Sequence, residues 1–364
     1  GIGPTGAAEI AEYVSGSGVL NKLSIGDNKI GDEGAKAIGG ALAVDGVLTE
    51  LDLSHNGIDD AGAEALASAL RVNAVLTSLV LWDNNIGEEW PPEEGAKALA
   101  SALRVNAVLT DLNLGQNKIG DEDANALASA LRVNGVLTSL DVGSNGLDAA
   151  LGIVRVERQR NKLTSLALEN CGIGPTGAAE IAEYVSGSAV LTELDLARND
   201  IDNAGAVALA SAMRVNQVLA ALDISMNVIA NEGATAIGGA LAVNAVLKSI
   251  KLRGNSLGTE GWCAIFAALR DNKKNKIESW DLSRQGINAE VAKVLAEYVS
   301  GSGVLKSLDV RCNKISGDAA QPLATAVLAS PSLEIFGSVP LKELRANTLD
   351  KLGLSGKDLG VSEA

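Results

Sequence analysis

The chain has 364 residues and a formal net charge of -15; 47% of it is hydrophobic and only 2% aromatic. A length beyond the roughly 250–300 residues of one compact core, filled with aliphatic side chains, implies several domains or one elongated array with a thin core. The acidity argues against a nucleic-acid or anionic-membrane surface, which needs a concentrated basic face, and no run approaches the ~20 apolar residues of a membrane span.

From its first residues the sequence repeats itself every 28 positions: Ile2, Ile30, Ile58 and Ile86, then Ile173, Ile201, Ile229 and Leu257, then Ile287 and Ile315. A fixed period of this size marks stacked supersecondary units. The unit is clearest from Leu48 to Val75. Leu48, Leu51, Leu53, Asn56 and Ile58 have the spacing of a short strand and turn, and alternation puts Leu51 and Leu53 inward and Glu50, Asp52 and Ser54 outward. After Gly62, Leu66 and Leu70 lie four residues apart and predict a helix with one buried face. Ile38 and Leu42, Leu99 and Leu103, Ile181 and Val185, and Leu209 and Met213 repeat the pair.

Parallel strands stack about 4.8 Å apart whereas helices need roughly 8–10 Å, so strands belong on a concave face and helices on a convex one. The expected fold is an α/β solenoid of horseshoe form. Helices rich in Ala and Gly should approach closely and relax the curvature. Asn28, Asn56, Asn84, Asn117, Asn145, Asn199, Asn227, Asn255 and Asn313 form a column just after the strand, where an amide can pair backbone groups that the turn would otherwise bury unsatisfied. Cys171 and Gln285 take the same slot, and Lys357 the last one. Cys171 is expected to be a structural stand-in for Asn, with nothing basic placed to activate its thiol.

Departures from the period mark special surface, since insertions in a solenoid loop outward. The array is expected over residues 1–330, with an insertion at 87–95, a shortened repeat at 147–173, and an irregular repeat or cap over 331–364, where Pro331 and Pro340 interrupt the pattern. In the insertion, Trp90 sits among glutamates and a Pro pair, either as an exposed binding anchor or folded over a neighbouring helix. The shortened repeat carries Arg155, Arg158, Arg160 and Lys162, a candidate basic patch for an acidic partner or else a solvated helix face. Two residues are added between Leu257 and Ile287, where Trp262 replaces a small Ala and Trp280 takes a strand Leu slot; both are expected to adjust the core.

Outward strand positions form a column that includes Asp52, Val80, Asp141, Asp195 and Asp223, flanked by Asp83 and Asp111. These residues read either as an acidic face for a basic protein partner or as ordinary strand composition of the repeat. Val80 and Trp82 supply its apolar centre, and Trp82, a large ring at an outward position, is the foremost candidate contact. Nothing points to catalysis: His55, the one histidine, falls at an exposed turn without a nucleophile motif, and reads as a solvated surface side chain. No catalytic, cofactor-binding or metal-ligating set is expected, and Cys171, Cys263 and Cys312 are too scattered for a disulfide framework, which favours a reducing compartment.

The repeat resembles the ribonuclease-inhibitor-like class of leucine-rich repeats, also found in the receptor ends of NOD-like immune proteins and in Ran GTPase-activating proteins. The segment from Phe336 to Gly360 looks like the expanded leucine-rich-repeat families of algae with secondary plastids. The resemblance implies a non-catalytic protein-protein interaction scaffold or recognition module, with a structural subunit of a larger assembly as one form of it. A ligand-sensing domain of a NOD-like receptor and a Ran-type GTPase activator are the alternatives. Gly1 to Tyr13 repeats Gly172 to Tyr184 residue for residue, and Leu359–Val361 stops where another helix is due. An interior cut of a longer array is therefore expected, cytoplasmic by default or plastidial if a targeting segment precedes Gly1.

Overall fold

The computed structural model describes residues 1–87, 94–313, 315 and 317–346, and the chain divides into two compact units, Gly1–Gly172 and Ile173–Ala364. In the first unit the helices α1 (Gly3–Gly16), α2 (Gly31–Leu42), α3 (Asp60–Leu70), α4 (Gly95–Leu103), α5 (Asp121–Leu131) and α6 (Leu147–Arg160) alternate with three-residue strands. These are β1 (Lys22–Ser24), β2 (Glu50–Asp52), β3 (Ser78–Val80), β4 (Asp111–Asn113), β5 (Ser139–Asp141) and β6 (Ser165–Ala167). The strands pair in parallel and in sequence order, with Leu23, Leu51, Leu79, Leu112, Leu140 and Leu166 in register.

The second unit continues the alternation with α7 (Gly174–Gly187), β7 (Glu193–Asp195), α8 (Asn203–Val215), β8 (Ala221–Asp223), α9 (Asn231–Leu241), β9 (Ser249–Lys251), α10 (Gly258–Asp271), β10 (Ser279–Asp281), α11 (Ala289–Gly301), β11 (Ser307–Asp309) and α12 (Ala320–Ala329). Strands β7 to β9 are parallel. So are β10, β11 and β12 (Ile335–Phe336), after which β13 (Val339–Pro340) turns back antiparallel and leads into α13 (Leu341–Ala346). Each unit is thus an open α/β solenoid, as the period predicts. Trp262, Phe266, Trp280 and Tyr298 form a buried ring cluster, Phe266 lying 5.5 Å from Trp280 and 6.0 Å from Tyr298. Both tryptophans therefore serve the core.

The core is one row of aliphatic side chains per position of the repeat. Leu51, Leu53, Ile58, Leu66 and Leu70 are all buried, and so are their equivalents in the following repeat, Leu79, Leu81, Ile86, Leu99 and Leu103. Small residues set the helix spacing: a Cβ on Gly39 would lie 3.0 Å from the Ala65 carbonyl oxygen of the next helix, and one on Gly62 only 2.6 Å from Asp32 Oδ1. Asp32 uses that closeness, since its Oδ1 accepts the N–H groups of Asp59 at 2.9 Å and Gly62 at 3.0 Å.

Two columns of polar side chains satisfy the backbone inside the stack. In the first, just after the strand, Asn56 Nδ2 donates to the carbonyls of Ile25, Leu53 and Ser54 at 3.0–3.1 Å, while its Oδ1 accepts from Asn28 and Ile30. Asn84, Asn117 and Asn227 span two repeats in the same way. Cys171 occupies this slot with a thiol that reaches the carbonyls of Val142 at 3.7 Å and Glu169 at 3.5 Å, and burial pushes its pKa up. The second column, at the helix exit, is not among the features expected from the spacing. Asn73 Oδ1 caps the N–H groups of Val75 and Leu76 at 3.0 and 2.8 Å, and its Nδ2 donates to the Leu42 carbonyl of the preceding helix at 2.8 Å. Asp45, Asn106, Asn134, Asn216 and Asn244 repeat the cap.

The shortened repeat lacks this asparagine and replaces it with an ion pair. Glu157, fully buried, accepts the N–H groups of Lys162 and Leu163 on Oε2 at 3.0 Å and the Arg160 guanidinium on Oε1 at 2.6 Å. Arg160 then donates to the carbonyls of Asn134 at 2.9 Å and Leu137 at 2.7 Å in the preceding repeat. Arg160 is therefore corrected from a member of a surface basic patch to a nearly buried clamp, because the i,i+3 spacing turns it toward Glu157. Arg155, Arg158 and Lys162 are exposed.

Two outcomes follow from these columns. Arg160→Ala should destabilise the first unit by about 3–5 kcal/mol by stranding the Glu157 charge, whereas Arg158→Ala should stay within about 0.5 kcal/mol; urea midpoints of the two variants check the contrast. Cys171→Asn should stabilise the fold by about 1 kcal/mol in the same titration, because a full amide replaces a weak thiol donor.

Candidate protein-contact surface

The strand face is built from positions that the alternation turns away from the core. At the end of most strands stands an Asp or Asn whose Oδ1 accepts the N–H two residues on. Asp52 accepts from Ser54, Asn113 from Gly115, Asp141 from Gly143, Asp195 from Ala197 and Asp223 from Ser225, all at 2.8–2.9 Å. The acidic column thus closes the turn that leaves each strand. Sequence reasoning did not see this, although the x-Asp-x-Ser/Gly recurrence after the strand leucine carries the signal.

The second carboxylate oxygen is what the strand face can offer to a partner. Asp52 Oδ2 takes the Ser24 hydroxyl at 2.9 Å, Asp223 Oδ2 takes Lys251 Nζ at 2.9 Å, and Asp111 accepts weakly from Ser78 Oγ at 3.3 Å. Glu50 is held by Lys22 at 2.7 Å. Burial works to raise the Asp52 carboxyl, but the hydrogen bonds from Ser54 and Ser24 outweigh it and hold the group below the ordinary carboxylate value. Asp141 goes the other way. Burial pushes its pKa up, with the negative charges of Glu169 and Asp111 adding to the rise against the Gly143 and Asn113 hydrogen bonds.

Trp82 follows β3, half-buried, between two repeats. On one side its ring meets His55 edge-on, with centroids 4.4 Å apart and an interplanar angle of 81°. On the other it lies over Gly115, where a Cβ would come within 2.8 Å of the indole Cδ1. His55 is exposed as expected, yet it is not merely solvated: its Nδ1 pairs with the Asp83 carboxylate. Those contacts come from different repeats, so the linear sequence hides them. Val80 is half-buried beside a shallow groove of about 340 Å³, lined also by Ser24, Glu50, Asp52 and Ser78.

The first unit therefore brings Asp52, Val80, Trp82, Asp83, Asp111 and Asp141 onto one strand face. Asp195 and Asp223 stand on the strand face of the second unit, and Trp90 lies outside the described residues. Among the described residues no group of three or more His, Cys, Asp or Glu side chains could hold a metal ion, and no helix is long and apolar enough to cross a membrane. One further row was missed from sequence: an exposed valine directly after each of several helices, legible in hindsight in the recurrent Arg-Val-Asn.

Comparison with known proteins places these repeats. The leucine-rich-repeat family model matches seven segments, residues 19–39, 47–67, 105–128, 160–182, 187–210, 215–238 and 304–324. Among solved structures, an internalin (inlF) from Listeria monocytogenes str. 4b F2365 is 18% identical over 98% of this chain and 89% of its own, with a TM-score of 0.48. The actin-binding site 2 of leiomodin-1 is 22% identical over 42% of this chain and 87% of its own, with a TM-score of 0.36. The tropomodulin C-terminal domain of Caenorhabditis elegans is 14% identical over 43% and 92%, with a TM-score of 0.34. No curated protein matches the chain.

The opposite shifts of two column carboxylates give opposite pH behaviour. Asp52 binds its proton less tightly folded than unfolded, so its stabilisation is present above the ordinary carboxylate value and is lost as pH falls through the lower folded value. Asp141 binds its proton more tightly folded, so its contribution is present below the ordinary value and is lost as pH rises through the raised one. Asp141→Asn, which copies the natural Asn113, should therefore raise the thermal midpoint at pH 7 and lose that gain near pH 3. Asp52→Asn should lower the midpoint at pH 7, with a smaller loss near pH 3; melts at both pH values test the pair.

Proposed function

The chain is a leucine-rich-repeat protein, and on that premise we propose that it is a non-catalytic protein-binding module, a recognition scaffold that contacts its partner through the strand face of the first unit. The observation that carries this reading is the placement of Val80 in a groove bordered by Glu50 and Asp52, on the same strand face as the ring that Trp82 sets against His55. An aromatic side chain that is already immobilised loses little freedom on binding, which makes Trp82 an efficient anchor. Asp52 and Asp111 retain acceptor capacity that only hydroxyls occupy, and this favours a partner segment presenting Lys or Arg.

The 28-residue period with one helix in every repeat supports membership of the ribonuclease-inhibitor-like class. On this reading residues 1–330 are the array and 331–364 an irregular repeat or cap. The antiparallel return of β13, with Pro340 lacking a backbone donor, supports the irregularity of this segment.

Affinity purification with mass spectrometry tests the contact surface. The wild-type chain should recover partners that Trp82→Ala and the double variant Asp52→Asn/Asp111→Asn recover at least tenfold less well, while Trp262→Phe, altered only in the core of the second unit, should recover them fully. Unchanged recovery with both strand-face variants would sink the proposal.

A further inference from the structure

A second surface runs along the edge where the helices end. Val44, Val72, Val105 and Val133 are the first residues past the C-caps of α2, α3, α4 and α5, and they are 71%, 65%, 63% and 59% exposed. All four are fixed in the same turn, each N–H donating at 3.0–3.1 Å to the carbonyl three residues back. The side chain that follows each is the buried helix-exit cap, Asp45, Asn73, Asn106 or Asn134. The turn thus orders the valines outward without using them. A single exposed apolar residue is ordinary, but one in each of four consecutive repeats makes a continuous row.

The row is edged with positive charge. Arg71, Arg104 and Arg132 precede three of the valines and are exposed. Arg71 reaches forward to Ser101 Oγ of α4 at 2.9 Å, and Arg104 to Ser129 Oγ of α5 at 3.1 Å, so these guanidiniums lie across the next helix. Among the described residues none of the three forms an ion pair. In a chain of net charge -15, cations left without carboxylates stand out. A helix C-terminus by itself favours a cation, which accounts for an arginine there but not for the valine beside it. The second unit repeats the device: Val215 and Val243 are 61% and 59% exposed, and Arg214 lies over Gly239.

From the valine row and its unpaired guanidiniums we infer that the helix-exit edge of the first unit is a second docking surface, whose occupant is an acidic amphipathic helix of a partner protein. Adjacent solenoid helices stand roughly 8–10 Å apart, and seven residues of an α-helix rise about 10.5 Å. A helix laid across the repeats can therefore set one apolar side chain per heptad against each valine, with Asp or Glu toward the arginines. This is the groove-and-helix mode of recognition with charge fixing the orientation. An anionic membrane is the poorer match, since the net charge opposes it.

Two synthetic helical peptides distinguish the possibilities, one with Leu at heptad spacing flanked by Glu and one identical but flanked by Lys. By fluorescence anisotropy the Glu-flanked peptide should bind the intact chain at least tenfold more tightly than the Lys-flanked one. Val72→Ser/Val105→Ser should weaken it at least tenfold, and Arg71→Glu/Arg104→Glu should invert the preference between the peptides. Trp82→Ala should leave the binding unchanged, which separates this surface from the strand face. Circular dichroism of each variant should match the wild type. The inference is overturned if the Glu-flanked peptide does not bind, if the valine variants bind it equally, or if those variants instead abolish self-association in sedimentation or binding to phosphatidylserine vesicles.

Discussion

Every other feature of this chain depends on pairing the backbone groups that a stack of tight turns buries. A repeat of 28 residues reverses direction twice, once after the strand and once after the helix, and both reversals bury backbone groups against neighbouring repeats. Buried N–H and C=O groups left unmade cost about 1–3 kcal/mol each, and with several per repeat no aliphatic core this thin could absorb the loss. The Asn56 and Asn73 columns remove it, because one amide both donates and accepts across two repeats. The shortened repeat makes the constraint visible: when the helix-exit asparagine is absent, Glu157 supplies the same acceptor toward its own turn and Arg160 a donor toward the exit turn of the preceding repeat.

That constraint also decides which surface residues are free to vary. The aspartates at the strand ends look like a binding face when counted along the sequence, yet one oxygen of each is committed to the turn. Only the outer oxygen and its ionisation remain adjustable, and neighbours adjust it strongly. Asp52 is stabilised as a carboxylate by hydroxyls, while Asp141 resists ionisation amid burial and other carboxylates. Electrostatic recognition along this face would accordingly be uneven, strongest where carboxylates are accessible and unneutralised.

Legibility from sequence follows the same division. The strands, helices and first asparagine column could be read directly, because each rests on spacing within one repeat and recurs until chance is excluded. The Glu157–Arg160 clamp could not, since a run of Arg155, Arg158, Arg160 and Lys162 carries the same composition whether its members face water or the previous turn. Trp82 was half legible. Its outward position follows from alternation, but its packing against His55 and Gly115 joins positions 27 and 33 residues away, 82 − 55 and 115 − 82. The valine row is not legible in the sequence, because a Val in Arg-Val-Asn has the same composition whether it is buried or exposed and becomes informative only through its exposure.

The two proposed surfaces draw on different interactions. On the strand face the anchor is a ring already held between repeats, so binding there adds hydrogen bonds and charge to a rigid platform. On the helix-exit edge the valines are largely exposed and can gain about 1–2 kcal/mol each on burial, or roughly 4–8 kcal/mol for four of them. Association itself costs roughly 4–15 kcal/mol, so an apolar row of this size offsets that cost at best. The guanidiniums therefore decide whether anything stays bound: charge-assisted bonds from Arg71, Arg104 and Arg132 would supply the net affinity, and with it the selection of an acidic partner over any merely hydrophobic one.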